Sequence, residues 1–185
     1  GGLAPCAYGI GLEAGNPLAV GLPSIALSGF FTLGDPQQPF VARENNVRVI
    51  GPNCQGALSV PSRMWCVFGS VSQETALREG PVSCAFQSGG FGYAVVNMAE
   101  AQGLGFRHVV STGNETDITM PELMSEFLDD PGTKLAFAYM EGTPNARSLL
   151  DLGRKSLATG KPVFIWKGAQ TESGTKAAAS HTANM

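Results

Sequence analysis

The chain has 185 residues, 43% of them hydrophobic and 15% charged, with a net charge of −3. This is the composition of a globular protein with a real core, and it excludes a disordered polar chain, a basic nucleic-acid-binding surface and a polybasic membrane anchor. Without a basic surface, an anionic ligand would have to be held locally, by backbone amides and helix ends, and no apolar run is long enough to span a bilayer.

The first stretch, Gly1 to Gly21, is mildly apolar but has no basic leader and contains Glu13, so it does not read as a signal peptide. Cys6, Cys54, Cys66 and Cys84 are widely spread without CxxC spacing. No metal site is expected from them, and reduced thiols in a cytoplasmic setting are the simpler reading. Ser24 to Ser28 predicts a strand, Phe40 to Asn45 a short helix, and Arg48-Val49-Ile50 a strand ending in Gly51-Pro52-Asn53-Cys54. These make the tail of one α/β domain, residues 1–60, with residues 61–80 as a linker.

From residue 81 the pattern becomes regular. A short apolar run, Pro81 to Phe86, feeds the turn Gln87-Ser88-Gly89-Gly90 and then a helix over Phe91 to Gln102. Arg107 to Ser111 predicts a strand that ends at Thr112-Gly113-Asn114. Thr119 and Glu122 have the spacing of a capping box, with Pro121 in the first turn and Leu123, Met124, Phe127 and Leu128 as the buried stripe. Leu135 to Met140 is the next strand, Asn145 to Thr159 the next helix, and Val163 to Lys167 the last strand. Alternation of this kind predicts a parallel sheet covered by helices on both faces, with ligands at the carboxyl ends of its strands.

Four places on that edge carry chemistry. Ser88, Gly89 and Gly90 open a helix, where unpaired amides and the helix dipole favour a phosphate; the same glycines equally suit a turn that only packs closely. His181 is one of two histidines, set among small residues, and a neutral imidazole is a good nucleophile. Judged alone, it fits a surface histidine in a tail better. Glu141, at the end of a strand, has the chemistry to accept from a histidine Nδ1–H, though alone it reads as a water-exposed loop glutamate. The Gly51 to Gly56 turn presents Asn53 and Cys54 to a ligand, or else marks a domain boundary with a buried thiol. His108, inside a strand, is expected to be structural.

The order of these motifs is more specific than any one of them. Arg48 to Cys54, Gln87 to Gly92, Ser111 to Asp117, Tyr139 to Gly142 and Ala178 to Thr182 follow the order and spacing of the NDP-forming acyl-CoA synthetases, which the chain resembles from roughly Ile25 to Thr182. That superfamily includes ADP-forming acetyl-CoA synthetases and the α subunit of succinyl-CoA synthetase. The resemblance implies a flavodoxin-like domain over residues 81–185, ending in the phosphohistidine loop, after the last part of a Rossmann-like CoA-binding domain. It implies that His181 is phosphorylated, that Glu141 orients it, and that Ser88, Gly89 and Gly90 hold the phosphate. Asn53, Cys54, Asn114 and Glu115 become the residues expected to meet CoA or substrate. The implied activity interconverts acyl-CoA, NDP and phosphate with carboxylic acid, CoA and NTP. CoA and ATP/ADP or GTP/GDP are the implied cofactors, with Mg and nucleotide on a partner ATP-grasp domain or subunit, so an oligomer is expected.

Two departures are visible: Ala183 follows Thr182 where the family has glycine, and no ATP-grasp segment is present in these residues. They keep a second reading in play, a non-catalytic acyl-CoA-binding or regulatory module of the same fold. A flavodoxin-like electron carrier ranks below both, because no aromatic pair is placed after the phosphate turn to sandwich a flavin.

Overall fold

A computed structural model describes residues 9–10, 25–27, 48–67, 77–171 and 174. The expected helix over Phe40 to Asn45 and the loop carrying Ser180, His181 and Thr182 lie outside the described residues. Three short strands, β1 (Gly9–Ile10), β2 (Ile25–Leu27) and β3 (Arg48–Ile50), form one sheet in that order, with β2 and β3 parallel. A second, six-stranded sheet contains β4 (Gly56–Ser59), β5 (Met64–Val67), β6 (Glu79–Phe86), β7 (Phe106–Ser111), β8 (Leu135–Met140) and β9 (Val163–Lys167). Its order is β5-β4-β7-β6-β8-β9. Strands β6 to β9 are parallel, and β4 and β5 are antiparallel additions beside β7.

Helices α1 (Gly89–Ala101), α2 (Met120–Asp129) and α3 (Ala146–Thr159) are the crossovers between the parallel strands. Strand alternation sorts the sheet into two faces. Val82, Cys84 and Phe86 pack with Tyr93 and Val96 of α1. Ala85, Ala136 and Ala138, small enough to let helices lie close, pack with Met124, Phe127 and Leu128 of α2 and Leu152 of α3. Each fully buried leucine or phenylalanine contributes on the order of 2 kcal/mol by leaving water. This is the helix-covered parallel sheet that the alternation predicts, and the flavodoxin-like α/β architecture that the resemblance implies.

Three local expectations change. The stretch read as linker, 61–80, contains β5, which pairs in a hairpin with β4 just before it, and all four residues of β4 are buried. A strand buried on both faces shows no alternation, and the turn into β5 uses Arg63 at φ +50° rather than a glycine. The Thr119 side chain makes no cap bond at α2. Glu122, its expected partner, instead meets Arg48 Nη2 at 2.9 Å. In α3, where Leu149, Leu150, Leu152 and Leu157 are the expected apolar positions, Leu152 is buried, whereas Leu150 and Leu157 are 62% and 85% exposed, so the apolar face is narrower than those four leucines suggest. Asn145 does cap this helix, accepting from the Arg147 amide at 3.1 Å, and Gly160 at φ +66° ends it.

His108 is structural, as expected. Buried in β7, it stacks on Phe127 and places Nε2 2.7 Å from Asp130 Oδ2. Its Nδ1 is buried without a hydrogen-bond partner. The neutral tautomer with the proton on Nε2 suits this site, since a proton on Nδ1 would face no acceptor. Burial therefore holds the imidazole below its ordinary value of 6.5, against the pull of Asp130. For Asp130 burial works upward, but the Arg107 guanidinium, the Gly132 amide and His108 outweigh it and bring the carboxyl down to about 2.

Both groups have folded values below their unfolded ones, so each favours the fold above its unfolded pKa and loses that contribution as pH falls. The thermal midpoint is expected to be level between about pH 7 and 8, to decline below the unfolded histidine value and to steepen below the unfolded carboxylate value. Melting curves across this range test it. The His108→Gln variant should lose the first decline and keep the second, and a wild-type midpoint flat through the histidine range would refute the assignment.

Candidate active site

The turn after β6 is shaped by close approaches. A Cβ at Gly92 would lie 2.2 Å from Phe86 Cγ, and one at Gly89 would lie 2.7 Å from Ser111 Oγ. Only glycine lets α1 begin directly over the strand it leaves. At Gly90 a Cβ would meet nothing within 4 Å, so the turn faces open space there. Ser88 is the N-cap but its side chain makes no cap bond. The first amides of α1 thus have no acceptor within the helix and sit at its positive end.

Gln87, just before this turn, is buried and joins it to the end of β8. Its Oε1 accepts from the Glu141 amide at 2.6 Å and the Gly142 amide at 3.1 Å, and its Nε2 donates to Gly142 O at 2.7 Å. Sequence reasoning placed Gln87 in the phosphate motif without giving it a role. Its partners are main-chain groups about fifty residues away, which no local pattern reveals.

Glu141 is held from the other side as well. Lys167, at the end of β9, donates to Glu141 O at 2.6 Å and to Gly168 O at 2.5 Å. Burial, with the Glu141 carboxylate nearby, pushes the Tyr139 phenol above its ordinary value. Tyr139 packs 4.4 Å from Phe91 between ring centroids, and Trp166 lies 5.2 Å from Phe91 and 6.2 Å from Tyr139. Trp166 and Phe164 are 52% and 57% exposed, so this aromatic group opens to solvent at the β9 edge.

The turn after β3 meets the loop after β7. The Gly51–Pro52 peptide is cis. Asn114 N donates to Pro52 O at 2.9 Å, Thr116 N to Gly51 O at 3.1 Å, and Ile118 N to Val49 O at 3.1 Å. Gly113 allows the approach, since a Cβ there would lie 2.2 Å from Pro52 O. The structure brings together Asn53 and Asn114, whose side-chain amides bond at 3.2 Å. Cys54 points into the core and bonds Ile50 O, and burial raises its thiol. Ligand contact through its sulfur is not supported by that placement. Glu115 is also buried, accepting from Thr112 Oγ1 at 2.7 Å, and burial holds its carboxyl above the ordinary range despite that bond.

Arg48 and Asp117 lock this seam. Arg48 Nε reaches both Asp117 oxygens at 3.2 and 3.0 Å, and the Val49 amide donates to Asp117 Oδ2 at 2.8 Å. Burial works against the Arg48 charge, but bonds to Asp117 and Glu122 outweigh it and keep the guanidinium above its ordinary value. Among the described residues, no group of three or more His, Cys, Asp or Glu is placed to hold a metal ion, and no helix is long and apolar enough to cross a membrane.

Residues 79–185 match the family described as the succinyl-CoA ligase like flavodoxin domain. The α subunit of acetate–CoA ligase (ADP-forming) I from Pyrococcus furiosus is 33% identical over 94% of this chain, which covers 38% of that subunit. Acetate–CoA ligase (ADP-forming) from Methanocaldococcus jannaschii is 37% identical over 78% of the chain, which covers 20% of that enzyme. Among solved structures, acetyl-coenzyme A synthetase 1 of Ca. Korarchaeum cryptofilum, in complex with phosphate and ADP, superposes with a TM-score of 0.72 at 30% identity, covering 86% of this chain and 36% of that one. The chain thus spans well under half the length of these relatives. The family match, the relatives across nearly the whole chain and the flavodoxin-like sheet agree: this chain belongs to the NDP-forming acyl-CoA synthetase superfamily and carries its succinyl-CoA ligase-like flavodoxin domain.

Proposed function

We propose that the chain is the phosphoryl-transfer component of an NDP-forming acyl-CoA synthetase, working through a phosphohistidine at His181. The observation that carries this reading is the Gln87 clamp, which ties the phosphate turn to the Glu141 turn. The main chain that carries Glu141 is thereby tied to the strand end from which the Ser88 to Gly90 turn opens, which supports a helix end suited to an anion and a carboxylate suited to orient an imidazole acting together. That is the pair a phosphohistidine needs.

In this reading a phosphate oxygen would attack the thioester carbonyl of acyl-CoA, the C–S bond would break and CoA would leave, giving an acyl phosphate; Asn53 and Asn114, joined at the strand-end edge, are the amides that would meet CoA. The acyl phosphate then reacts with this chain's own residues. His181 Nε2 attacks phosphorus, an N–P bond forms, the P–O bond breaks and the carboxylate leaves. Glu141 accepts the Nδ1–H, which fixes the tautomer and meets the positive charge that develops. The amides of Ser88, Gly89 and Gly90 lie at a helix end suited to hold the phosphoryl oxygens, and Gly90 leaves the space for them. The phosphoryl group passes next to a nucleoside diphosphate. Nucleotide and Mg belong in this reading to an ATP-grasp partner, so the working unit is an oligomer. Cys54, Cys66 and Cys84 carry thiols rather than disulfides, in keeping with the cytoplasmic setting we include in it.

The test is phosphorylation. The chain, mixed with an ATP-grasp subunit and Mg-ATP, is expected to gain an acid-labile phosphate that peptide mass spectrometry maps to residues 177–185, and His181→Ala is expected to gain none. Absence of label, with the partner shown active on an established α-type subunit, would replace this reading with the acyl-CoA-binding module.

A further inference from the structure

Glu141 follows β8 directly, at a bend in the chain. Two peptide units flank its Cα, and each is planar, so holding both ends of both units sets the backbone angles of Glu141. In the first unit, the Met140 carbonyl accepts from the Gly168 amide at 2.9 Å and the Glu141 amide donates to Gln87 Oε1 at 2.6 Å. In the second, the Glu141 carbonyl accepts from Lys167 Nζ at 2.6 Å and the Gly142 amide donates to the same Gln87 oxygen at 3.1 Å. Strand β8 lies between β6 and β9, so each carbonyl is held from the β9 side and each N–H from the β6 side.

The two units differ in what holds the carbonyl. The first uses main chain, as a sheet does. The second uses the Lys167 ammonium, which also donates to Gly168 O at 2.5 Å and is thereby anchored at a second point. A lysine stem ordinarily carries its charge out to water. Here the head is folded back over the strand end instead. The pairing of β8 with β9 runs to Met140 and Lys167 through main-chain groups and does not need Nζ. What the ammonium adds lies past the sheet, at the Glu141–Gly142 peptide. With that peptide loose, φ and ψ of Glu141 can shift together, and the direction in which Cβ leaves the chain shifts with them.

We propose that Lys167 is a positioning residue for Glu141, fixing the Glu141–Gly142 peptide so that the carboxylate is presented to the His181 imidazole. The inference rests on the phosphohistidine reading above. Lys167→Met removes the ammonium and keeps an unbranched apolar stem, so the strand end retains its packing while the second carbonyl loses its donor.

Single-turnover phosphorylation of the chain by an ATP-grasp subunit and Mg-ATP, followed by quench and peptide mass spectrometry, tests this. Lys167→Met is expected to be about tenfold slower, as for loss of one hydrogen bond from a charged group, with the ATP concentration for half-maximal rate unchanged. In a Glu141→Gln background the same substitution is expected to slow the reaction by less than about twofold, because the carboxylate it positions is gone. Glutamine there keeps the main-chain bonds to Gln87 and Lys167, so damage to the fold or to partner docking would carry over in full. A Lys167→Met variant at the wild-type rate overturns the proposal. So does a tenfold loss that persists on Glu141→Gln, which would mean that Lys167 acts other than through the carboxylate. A thermal melt shows whether Lys167→Met is folded at the assay temperature. If it is not, Lys167→Gln, whose shorter arm ends in a neutral donor, goes through the same pair of backgrounds and is read by the same two outcomes. An unlabelled wild-type chain is a different failure. It removes the phosphohistidine reading itself and the role of Lys167 with it.

Discussion

Glu141→Gln is expected to slow phosphorylation of His181 by on the order of 10³-fold while leaving the unfolding midpoint where it was. Glutamine has nearly the same shape and keeps both main-chain bonds, from the Glu141 amide to Gln87 and from Lys167 to the Glu141 carbonyl. The fold therefore has no reason to respond. The chemistry does. A neutral amide provides no negative charge to meet the cationic imidazole, and its NH₂ group can face Nδ1 and select the tautomer that carries its proton on the attacking nitrogen. Single-turnover labelling beside a thermal melt separates the two effects. A loss of less than about tenfold would remove Glu141 from the orienting role, because exchange of a triad-type acid for its amide costs far more than that.

Asp117→Ala is expected to destabilise the chain by about 3 kcal/mol, the usual scale for removing one partner of a buried ion pair. The Asp117 side chain is fully buried, bonds Arg48 Nε through both oxygens and accepts from the Val49 amide. Alanine leaves that amide without its acceptor inside the protein and strips Arg48 of one of two carboxylates. Glu122 still meets Arg48, but it is 40% exposed and screened by water, so it compensates little. Asp117→Asn, which keeps an oxygen for the Val49 amide, should lose less. Urea denaturation measures both, with an unchanged m-value showing that only stability has moved. A shift below about 0.5 kcal/mol would mean the pair contributes nothing net.

The parallel core was legible because each strand from β6 to β9 is a short apolar run closed by glycine or a polar turn, and α2 carries its buried stripe at helical spacing. The β4–β5 hairpin was not, since Gly56 to Ser59 is too short and too evenly buried to alternate. The α2 cap was misread for a different reason. Glu122 has the right spacing from Thr119, but Arg48, 74 residues away, competes for it. Long-range pairs leave no trace in local spacing. The same holds at the site. Glu141 and the Ser88 to Gly90 turn stood out as motifs, while Gln87, which joins them, could be recognised only once the end of β8 was seen beside it. Asn53 and Asn114 were chosen separately and proved to be neighbours. Cys54 and Glu115, chosen with them, are turned inward by the demands of packing.

The seam between residues 49–53 and 114–118 has a mechanical meaning. Four main-chain amides cross it, three to carbonyls and one to the Asp117 carboxylate, and the Asn53–Asn114 bond adds a fifth tie. A pivot forms where few bonds have to break, and here many would have to break together. The end of the three-stranded sheet is riveted to the strand-end edge of the larger one. In the function proposed above, a group held at the Asn53 turn and a group held at the Ser88 turn would therefore sit at a set spacing, as on a ruler. On that proposal, whatever travels between the two would have to be carried by a part of the protein other than this seam.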